Sequence, residues 1–267
     1  MMEIKEFLED HIKLYNTISF IEMDPISIPH LFIKKEDIEL AGFLTALISW
    51  GNRSAIIKSA PQLMELMDFS PFEFILNAEE KDLRLISKFY YRTLNGDDLL
   101  FLIFALQNIY QKKGGLEKVV EKGFAKHGTI KGAIANIREN LLETPHLTRS
   151  EKHLANPEKG SAAKRINMFL RWMVRGDDKG VDFGLWKNIP KAALMCPLDV
   201  HSGRVARQLG LLTRKQNDWK AVEELTANLR NFDAKDPVKY DFAIFGIGVN
   251  SQFFNNYATS STKIHLP

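Results

Sequence analysis

Apolar residues recur at helical spacing along most of the chain. In residues 38–48 and again in residues 99–110 they advance by three or four positions at each step, which places their side chains on one face of an α-helix. The alternation of apolar and polar residues that is typical of half-buried strands is nearly absent. The pattern therefore predicts an all-α protein of about ten or more helices.

Short segments rich in proline, glycine or asparagine interrupt this helical pattern. Such residues end helices because they restrict the backbone, lack a donor or favour turns. The longest loop-like interval is 145–160. The other predicted breaks are at Pro25, Pro29, Pro61, Ser70-Pro71, Asn95-Gly96-Asp97-Asp98, Lys113-Gly114-Gly115 and Thr144-Pro145.

Two predicted helices in the second half of the chain carry the residues of chemical interest. We expect Ser161 to cap a helix over 162–174, because a serine hydroxyl can accept a backbone N–H of the first turn. Asp199 is well suited to cap a second helix over 200–209. Gly210 is the expected stop of that helix, since glycine readily adopts the left-handed conformation that ends many helices.

The composition indicates a globular protein with a substantial core. Of the 267 residues, 45% are hydrophobic and 26% are charged, which excludes collagen-like, low-complexity and wholly disordered chains. Cys196 is the single cysteine, so we expect no internal disulfide, no iron–sulfur cluster, no metal site and no other cofactor. A cytoplasmic protein is expected, since neither a secretory pattern nor a run of membrane-spanning length is seen.

Charge is unevenly distributed around a formal net charge of +3. Residues 61–100 hold eight acidic and four basic residues, whereas 151–175 hold six basic and two acidic ones. Residues 200–217 add four basic residues and no acidic one. Two basic segments beside a shared cleft would form a track for nucleic-acid phosphates. The alternative is that they are ordinary solvated faces of helices.

The most informative segment is Pro197–Leu211, which reads Pro-Leu-Asp-Val-His-Ser-Gly-Arg-Val-Ala-Arg-Gln-Leu-Gly-Leu. It resembles a signature of the helix-hairpin-helix (HhH-GPD) DNA glycosylases, in which proline, an apolar residue, Asp, Thr and His precede Arg-Val and Arg-Leu-Gly-Leu. Residues 236–248 are similar to the helix of that superfamily that ends in Gly, an apolar residue and Gly. Residues 43–53 lie where the superfamily has an early helix and a substrate-contacting turn.

Over nearly its whole length the chain resembles an uncharacterised bacterial family, the DUF2400 family. Part of this resemblance is the block Ser161–Arg175, which reads Ser-Ala-Ala-Lys-Arg-Ile-Asn-Met-Phe-Leu-Arg-Trp-Met-Val-Arg. The similarity to the glycosylases is concentrated between residues 155 and 250.

The resemblance implies an all-α, two-lobed fold with a cleft between the lobes. The whole chain, 1–267, would be a single globular unit. The central lobe would span 36–180 and end in the hairpin-like helix. The second lobe would combine 1–35 with 181–267.

The resemblance also implies two catalytic residues. Cleavage of an N-glycosidic bond develops positive charge on the sugar, so a carboxylate such as Asp199 would stabilise the transition state or act as a general base. Bifunctional glycosylases also use a lysine amine that forms a Schiff base with the sugar. Lys164 matches the place of that lysine, with Lys159 as the second choice. An ordinary capping aspartate and a solvated lysine are the structural alternatives.

Other residues are candidates for holding DNA and the extruded base. Aromatic and apolar side chains can stack on a flipped base, although at helical spacing they are more often part of a core. Polar residues after the early helix are better placed to contact DNA. The candidates are Trp50, Asn52, Arg53, Gly160, Arg165, Met168, Phe169, Trp172 and Arg204.

We therefore expect a base-excision DNA glycosylase, with or without AP-lyase activity, that binds damaged duplex DNA and no membrane. The long interval between Lys164 and Asp199 resembles that of archaeal 8-oxoguanine glycosylases and favours 8-oxoguanine as substrate. The hairpin keeps only Gly160 of its usual two glycines, which leaves two alternatives. The chain could be a catalytically silent nucleic-acid-binding protein, or an enzyme that hydrolyses small nucleosides.

Overall fold

The computed structural model describes residues 2–249, and within that range the chain contains α-helices, short 3₁₀ turns and no strand. The predicted all-α class is therefore confirmed. The helices are α1 (Met2–Tyr15), α2 (Ile18–Glu22), α3 (Lys35–Ile48), α4 (Arg53–Glu65), α5 (Pro71–Asn77), α6 (Glu80–Ile86), α7 (Gly96–Lys112), α8 (Leu116–His127), α9 (Ile130–Leu142), α10 (Lys164–Val174), α11 (Val200–Gln208), α12 (Trp219–Phe232) and α13 (Tyr240–Val249).

The helices pack in two groups. In one group α7 lies against α5, α6, α8 and α9, and α3 packs against α4 and α5. In the other, α13 lies between α1 and α11. The proposed second lobe extends to residue 267, and its last residues, 250–267, lie outside the described part of the chain.

Helix α10 connects the two groups through opposite faces. Its apolar face packs on α3, where the rings of Phe169 and Phe43 make an edge-to-face contact with centroids 5.5 Å apart. A Cβ added to Gly42 would lie 3.1 Å from Met173 Cε, so the two helices approach closely. The opposite face carries Arg171, which pairs with Asp241 of α13. Burial of one large apolar side chain contributes about 1.5–3 kcal/mol, which makes the α3–α10 contact a major part of the core.

Two predicted features of these helices are wrong. Pro61 lies inside α4 rather than at a break, because Ala60, Leu63 and Met64 are buried and hold the helix against the core on both sides of the proline. Ser161 does not cap α10. Its hydroxyl accepts the N–H of Ala163 at 3.2 Å within the preceding turn, so the helix begins two residues later than expected.

The predicted start and stop of α11 are confirmed. Asp199 is the N-cap residue, with a backbone in the extended region and a side chain that accepts two N–H groups of the first turn. Gly210 follows the helix with φ of +69°, a conformation that glycine adopts without a steric penalty. These caps fix the ends of α11 and thereby the position of the Asp199 side chain at its start.

Residues 2–249 contain neither a membrane-spanning helix nor a cluster of metal-binding side chains. No helix there is both long enough and apolar enough to cross a membrane. No group of three or more histidine, cysteine, aspartate or glutamate side chains is arranged to hold a metal ion. Cys196 is a buried free thiol.

Candidate active site

The structure brings Lys164 and Asp199 together. The Nζ atom of Lys164 lies 3.1 Å from Oδ2 of Asp199, and the two side chains are 31% and 30% exposed. A lysine and a carboxylate are thus in direct contact at a position that solvent reaches. Both side chains are therefore accessible to a ligand.

A compact turn directly before α10 positions Lys164 beside Asp199. Gly160 ends the 3₁₀ turn Pro157–Lys159 with φ of +88°, and its carbonyl accepts the N–H of Trp219 at 3.0 Å. Ala163 adopts φ of +50° directly before the helix, an uncommon conformation for a residue with a Cβ. The two left-handed residues redirect the chain so that Lys164 is the first residue of α10.

The cap of α11 gives the two oxygens of Asp199 different tasks. Oδ1 accepts the N–H groups of His201 and Ser202, both at 2.9 Å. Oδ2 faces Lys164. The carbonyl of Asp199 also accepts an N–H from Asn217 at 2.9 Å. Because Oδ1 and the backbone are held in this way, Oδ2 has a fixed direction toward the lysine.

Electrostatics keep Asp199 ionised. Burial by itself would raise the pKa of Asp199, but the Lys164 ammonium and the hydrogen bonds from Ser202 outweigh burial and lower the pKa below its ordinary value of 3.8. A carboxylate that stays charged at neutral pH is what stabilisation of a positively charged sugar requires.

Two further carboxylates lie within electrostatic range of Lys164, and the sequence analysis missed both. Asp24 and Asp241 are each 6% exposed. Burial raises the pKa of Asp24 and raises the pKa of Asp241 to about 6, even though Arg171 and Lys164 oppose the shift. The site is therefore one end of a larger group of charged side chains.

Weak signals for these two aspartates were present in the sequence. Asp24 precedes Pro25 and caps the following 3₁₀ turn, accepting the Ile26 N–H at 3.1 Å. Asp241 falls within the 236–248 segment, in which only the glycines and apolar residues formed part of the expected pattern. Neither signal indicates proximity to Lys164, because that depends on packing between distant segments.

The prediction that the basic segment 151–175 forms a phosphate track is wrong for two of its arginines. Arg171 and Arg175 are 3% and 2% exposed and cannot reach a polynucleotide. Arg171 pairs with Asp182 at 3.2 Å and with Asp241. Arg175 pairs with Asp182 at 2.9 Å, and it also contacts two more aspartates. Burial of these charges requires such partners.

Two arginines of the second basic segment also bind within the protein. Arg207 donates to the carbonyls of Arg214 and Lys215 at 2.8 and 2.9 Å. Arg214 pairs with Asp218. The basic residues of the two segments whose side chains are exposed are Lys152, Lys159, Arg204 and Lys215.

The turn after α3 places Trp50, Asn52 and Arg53 in three different settings. The guanidinium of Arg92 lies 4.5 Å from the Trp50 ring centroid and covers that face of the indole. Asn52 is exposed and caps α4 by accepting the Ser54 N–H at 2.9 Å. Arg53 stacks on the ring of Phe245 at 4.4 Å. Asn52 is thus the most accessible of the three.

The other candidates on α10 face the interior. Phe169 and Trp172 are fully buried, and Met168 is 8% exposed. Arg165 donates to the carbonyls of Leu47 and His153, so it joins α10 to the end of α3. Met168, Phe169 and Trp172 therefore belong to the core, whereas Arg165 is half-buried.

The chain matches a family of known sequences over most of its length. A family model described as "Protein of unknown function (DUF2400)" matches residues 24–250. No curated protein and no solved structure matches the chain.

Proposed function

The chain belongs to the DUF2400 family of proteins of unknown function, and we propose that it is a DNA glycosylase of the helix-hairpin-helix type. In this proposal Lys164 is the nucleophile and Asp199 is the electrostatic partner. The substrate is a damaged base in duplex DNA, and 8-oxoguanine is the first candidate for that base.

The contact between Lys164 and Asp199 carries the proposal. The two residues lie 35 positions apart in the chain, yet Nζ and Oδ2 are 3.1 Å apart. A glycosylase that forms a Schiff base needs an amine and a carboxylate on the same side of one sugar. The partial exposure of both side chains leaves that side open to a ligand.

The chemistry follows from the two groups. Asp199 Oδ2 is placed to accept the proton that Lys164 must lose before it can attack. The neutral amine adds to C1′ of the damaged nucleotide, and the C1′–N bond breaks with its electron pair going to the departing base. The accepted proton passes from Asp199 to the departing base, and the carboxylate, ionised again, stabilises the positive charge that develops on the sugar. Loss of the second amine proton and opening of the sugar ring then give the imine.

Exposed residues near the site support DNA as the partner. Lys159 lies on the turn that leads to Lys164, and Arg204 lies on the exposed side of α11, the helix that Asp199 caps. Asn52 is exposed at the start of α4. Contacts of these side chains with phosphates would give the salt-dependent binding that is typical of DNA-binding proteins.

Borohydride trapping on lesion-containing duplexes tests the proposal. The panel consists of duplexes with 8-oxoguanine, uracil, an alkylated purine or an abasic site. We expect one covalent band on a damaged base, present in the wild type and in Lys159→Ala and absent in Lys164→Ala. Lys159→Ala is the matched control, since it removes an equal charge five residues away.

The alternative of a silent nucleic-acid-binding protein predicts a different result. Such a protein would bind the duplexes in a salt-dependent way and give neither a covalent band nor an alkali-labile strand on any lesion. The same outcome would contradict Lys164 as the nucleophile. Base release from free nucleosides without duplex binding would instead favour the small-molecule hydrolase.

A further inference from the structure

Residues 217–219 form a bridging segment that leads into α12 and contacts both halves of the candidate site. The side-chain amide of Asn217 donates to the backbone carbonyl of Asp199 at 2.9 Å. Two residues later, the backbone N–H of Trp219 donates to the carbonyl of Gly160 at 3.0 Å, in the turn before α10. Three consecutive residues therefore hold the backbones of the two segments that carry the reacting side chains.

The middle residue of the bridging segment joins it to the rest of the fold. Asp218 forms an isolated antiparallel β-bridge with Ser161, beside the contact between Trp219 and Gly160. The side chain of Asp218 caps α12 by accepting the N–H of Ala221 at 3.1 Å. The bridging segment is thus fixed to a helix on one side and to the turn before α10 on the other.

An arginine of α11 fixes the direction in which the Asn217 amide points. Arg207 donates to Oδ1 of Asn217 at 2.7 Å, and it also donates to the carbonyls of Arg214 and Lys215. A guanidinium can only donate hydrogen bonds and a backbone carbonyl can only accept them. One orientation of the Asn217 amide therefore satisfies both partners, with Oδ1 toward Arg207 and Nδ2 toward the carbonyl of Asp199.

Gly203 leaves the space that these two side chains occupy. It lies inside α11, where a Cβ would be 2.7 Å from Oδ1 of Asn217 and 2.8 Å from Nη1 of Arg207. Both distances are shorter than van der Waals contact. Any side chain at this position would therefore displace the Asn217 amide from its place under α11.

We propose that Asn217 is a positioning residue that, through the bridging segment, sets how Asp199 meets Lys164. The inference rests on the proposed function for the roles of Asp199 and Lys164. Asn217 acts on the backbone of Asp199, and Trp219 acts on the turn before Lys164, so the two halves of the site move together. The separation of 3.1 Å between Nζ and Oδ2 is kept by this coupling.

The cap of α11 does not replace the contact from Asn217. Oδ1 of Asp199 accepts the N–H groups of His201 and Ser202, but these groups belong to the helix that Asp199 itself begins. They orient the carboxylate within α11 and cannot fix its distance from α10. Asn217 lies outside both helices, and its segment is bonded to both of the backbones that must stay in register.

Hydrogen exchange of single backbone amides, measured by NMR on the full-length protein without DNA, tests the coupling. Asn217→Asp keeps the shape of the side chain and an oxygen for Arg207 but removes the donor to the carbonyl of Asp199. We expect the amides of His201 and Ser202 to exchange about fivefold faster, a value typical for loss of one hydrogen bond. The amide of Trp219 is expected to become faster with them.

Two further variants show where the effect comes from. Gly203→Ala adds no charge and favours the helical conformation of α11, yet it displaces the Asn217 amide, so we expect the same faster exchange. Asn228→Asp is the matched control, because Asn228 also donates from Nδ2 to a backbone carbonyl, that of Leu211, at 2.9 Å. It is expected to leave the amides of the site unchanged.

Single-turnover borohydride trapping separates positioning from binding. In Asn217→Asp we expect the rate at saturating protein to fall by about 10–100-fold, because a small misplacement of reacting groups is costly. The protein concentration that gives half-saturation should stay that of the wild type. A saturated rate equal to that of the wild type, or a loss confined to DNA affinity, overturns the positioning role.

The exchange measurement gives its own contradicting outcomes. Unchanged exchange in Asn217→Asp and Gly203→Ala overturns the inference, and so does an equal effect of Asn228→Asp. Faster exchange at His201 and Ser202 with none at Trp219 also overturns it, because Asn217 would then act on α11 alone. Since exchange needs no DNA, a failure of trapping on every lesion contradicts the glycosylase and leaves the exchange result intact.

Discussion

The two ends of α10 carry the same kind of interaction in opposite environments. At its start, Lys164 makes one ion pair with Asp199, and both side chains are about one-third exposed. At its end, Arg171 and Arg175 are 3% and 2% exposed and each contacts more than one aspartate. The buried end has the features of a structural network, whereas the exposed end has those of a site that can meet a ligand.

The difference shows that charged residues at two positions of one helix can have different roles. The buried ones stabilise the fold, and the exposed one is available for a reaction. A buried charge that loses its partner costs several kcal/mol, so the arginines are held by the fold itself. A lysine that is 31% exposed keeps access to water, and its partly exposed ion pair contributes little to stability. The arginines in turn fix the orientation of α10, which sets where Lys164 meets Asp199.

Removal of Arg175 is expected to have the largest effect on this comparison. Arg175→Ala removes one of the two buried arginines that pair with Asp182 and leaves Asp236 with only the more exposed Lys191, and we expect the free energy of unfolding to fall by about 3–5 kcal/mol. Urea denaturation followed by circular dichroism measures the change. Arg84→Ala, an exposed pair with Glu80, is the matched control and should change stability by no more than about 0.5 kcal/mol. Equal losses of unfolding free energy in Arg175→Ala and Arg84→Ala would contradict the view that the buried arginines form a structural network.

Asp199→Asn is expected to affect activity more than stability. The amide keeps an oxygen for the cap of α11 but cannot carry the negative charge that a developing cation on the sugar needs. We expect base release to slow by about 10²–10³-fold, a value typical for loss of one electrostatic contact in an active site. Single-turnover assays on the lesion identified by trapping give the rate. Ser202→Ala, which removes a neutral partner of Asp199, should slow the reaction far less.

Gly160→Ala tests the turn that delivers Lys164. Gly160 has φ of +88° and open space around its α-carbon, so the alanine costs only backbone strain, about 1 kcal/mol. Gly128→Ala is the matched control, since it also has positive φ and open space but lies after α8. Both variants should lose similar stability, and only Gly160→Ala should change the trapping rate. An equal effect on trapping would exclude a special role for this turn.

The smallest expected effect is a shift in the pH at which acid unfolds the protein when Lys164 is replaced. The lowered pKa of Asp199 means that its ionised form stabilises the fold above pH 3.8 and that this contribution is lost as the pH falls through the lowered pKa. Lys164→Met removes the main group that opposes burial, so acid unfolding should begin at a pH higher by about a few tenths of a unit. Circular dichroism along a pH titration measures the midpoint. An unchanged midpoint would show that the pair makes no such contribution.

Local sequence signals were sufficient for the helices and caps at the site. The apolar periodicity predicted the all-α class, and the side-chain chemistry of Asp199 and Gly210 predicted the ends of α11. These features depend on residues that are close together in the chain, which is why pattern and propensity can reveal them.

Two features that depend on distant segments were not predicted. The local pattern predicted that Arg171 and Arg175 lie on an exposed basic face. Their buried partners, Asp182, Asp236 and Asp241, belong to other segments of the chain, so the local pattern does not reveal them. Periodicity does not distinguish a charged face that meets water from one that meets buried carboxylates. For the same reason the proximity of Asp241 to the candidate site required the packed structure.

One variant measured in two ways gives the most direct test of the contrast between the ends of α10. Lys164→Met is assayed by borohydride trapping on the lesion duplexes and by urea denaturation. We expect the covalent band to disappear while the free energy of unfolding stays within about 1 kcal/mol of the wild type. A band that persists in Lys164→Met, or a loss of stability as large as that of Arg175→Ala, would contradict a reactive lysine at the exposed end of the helix.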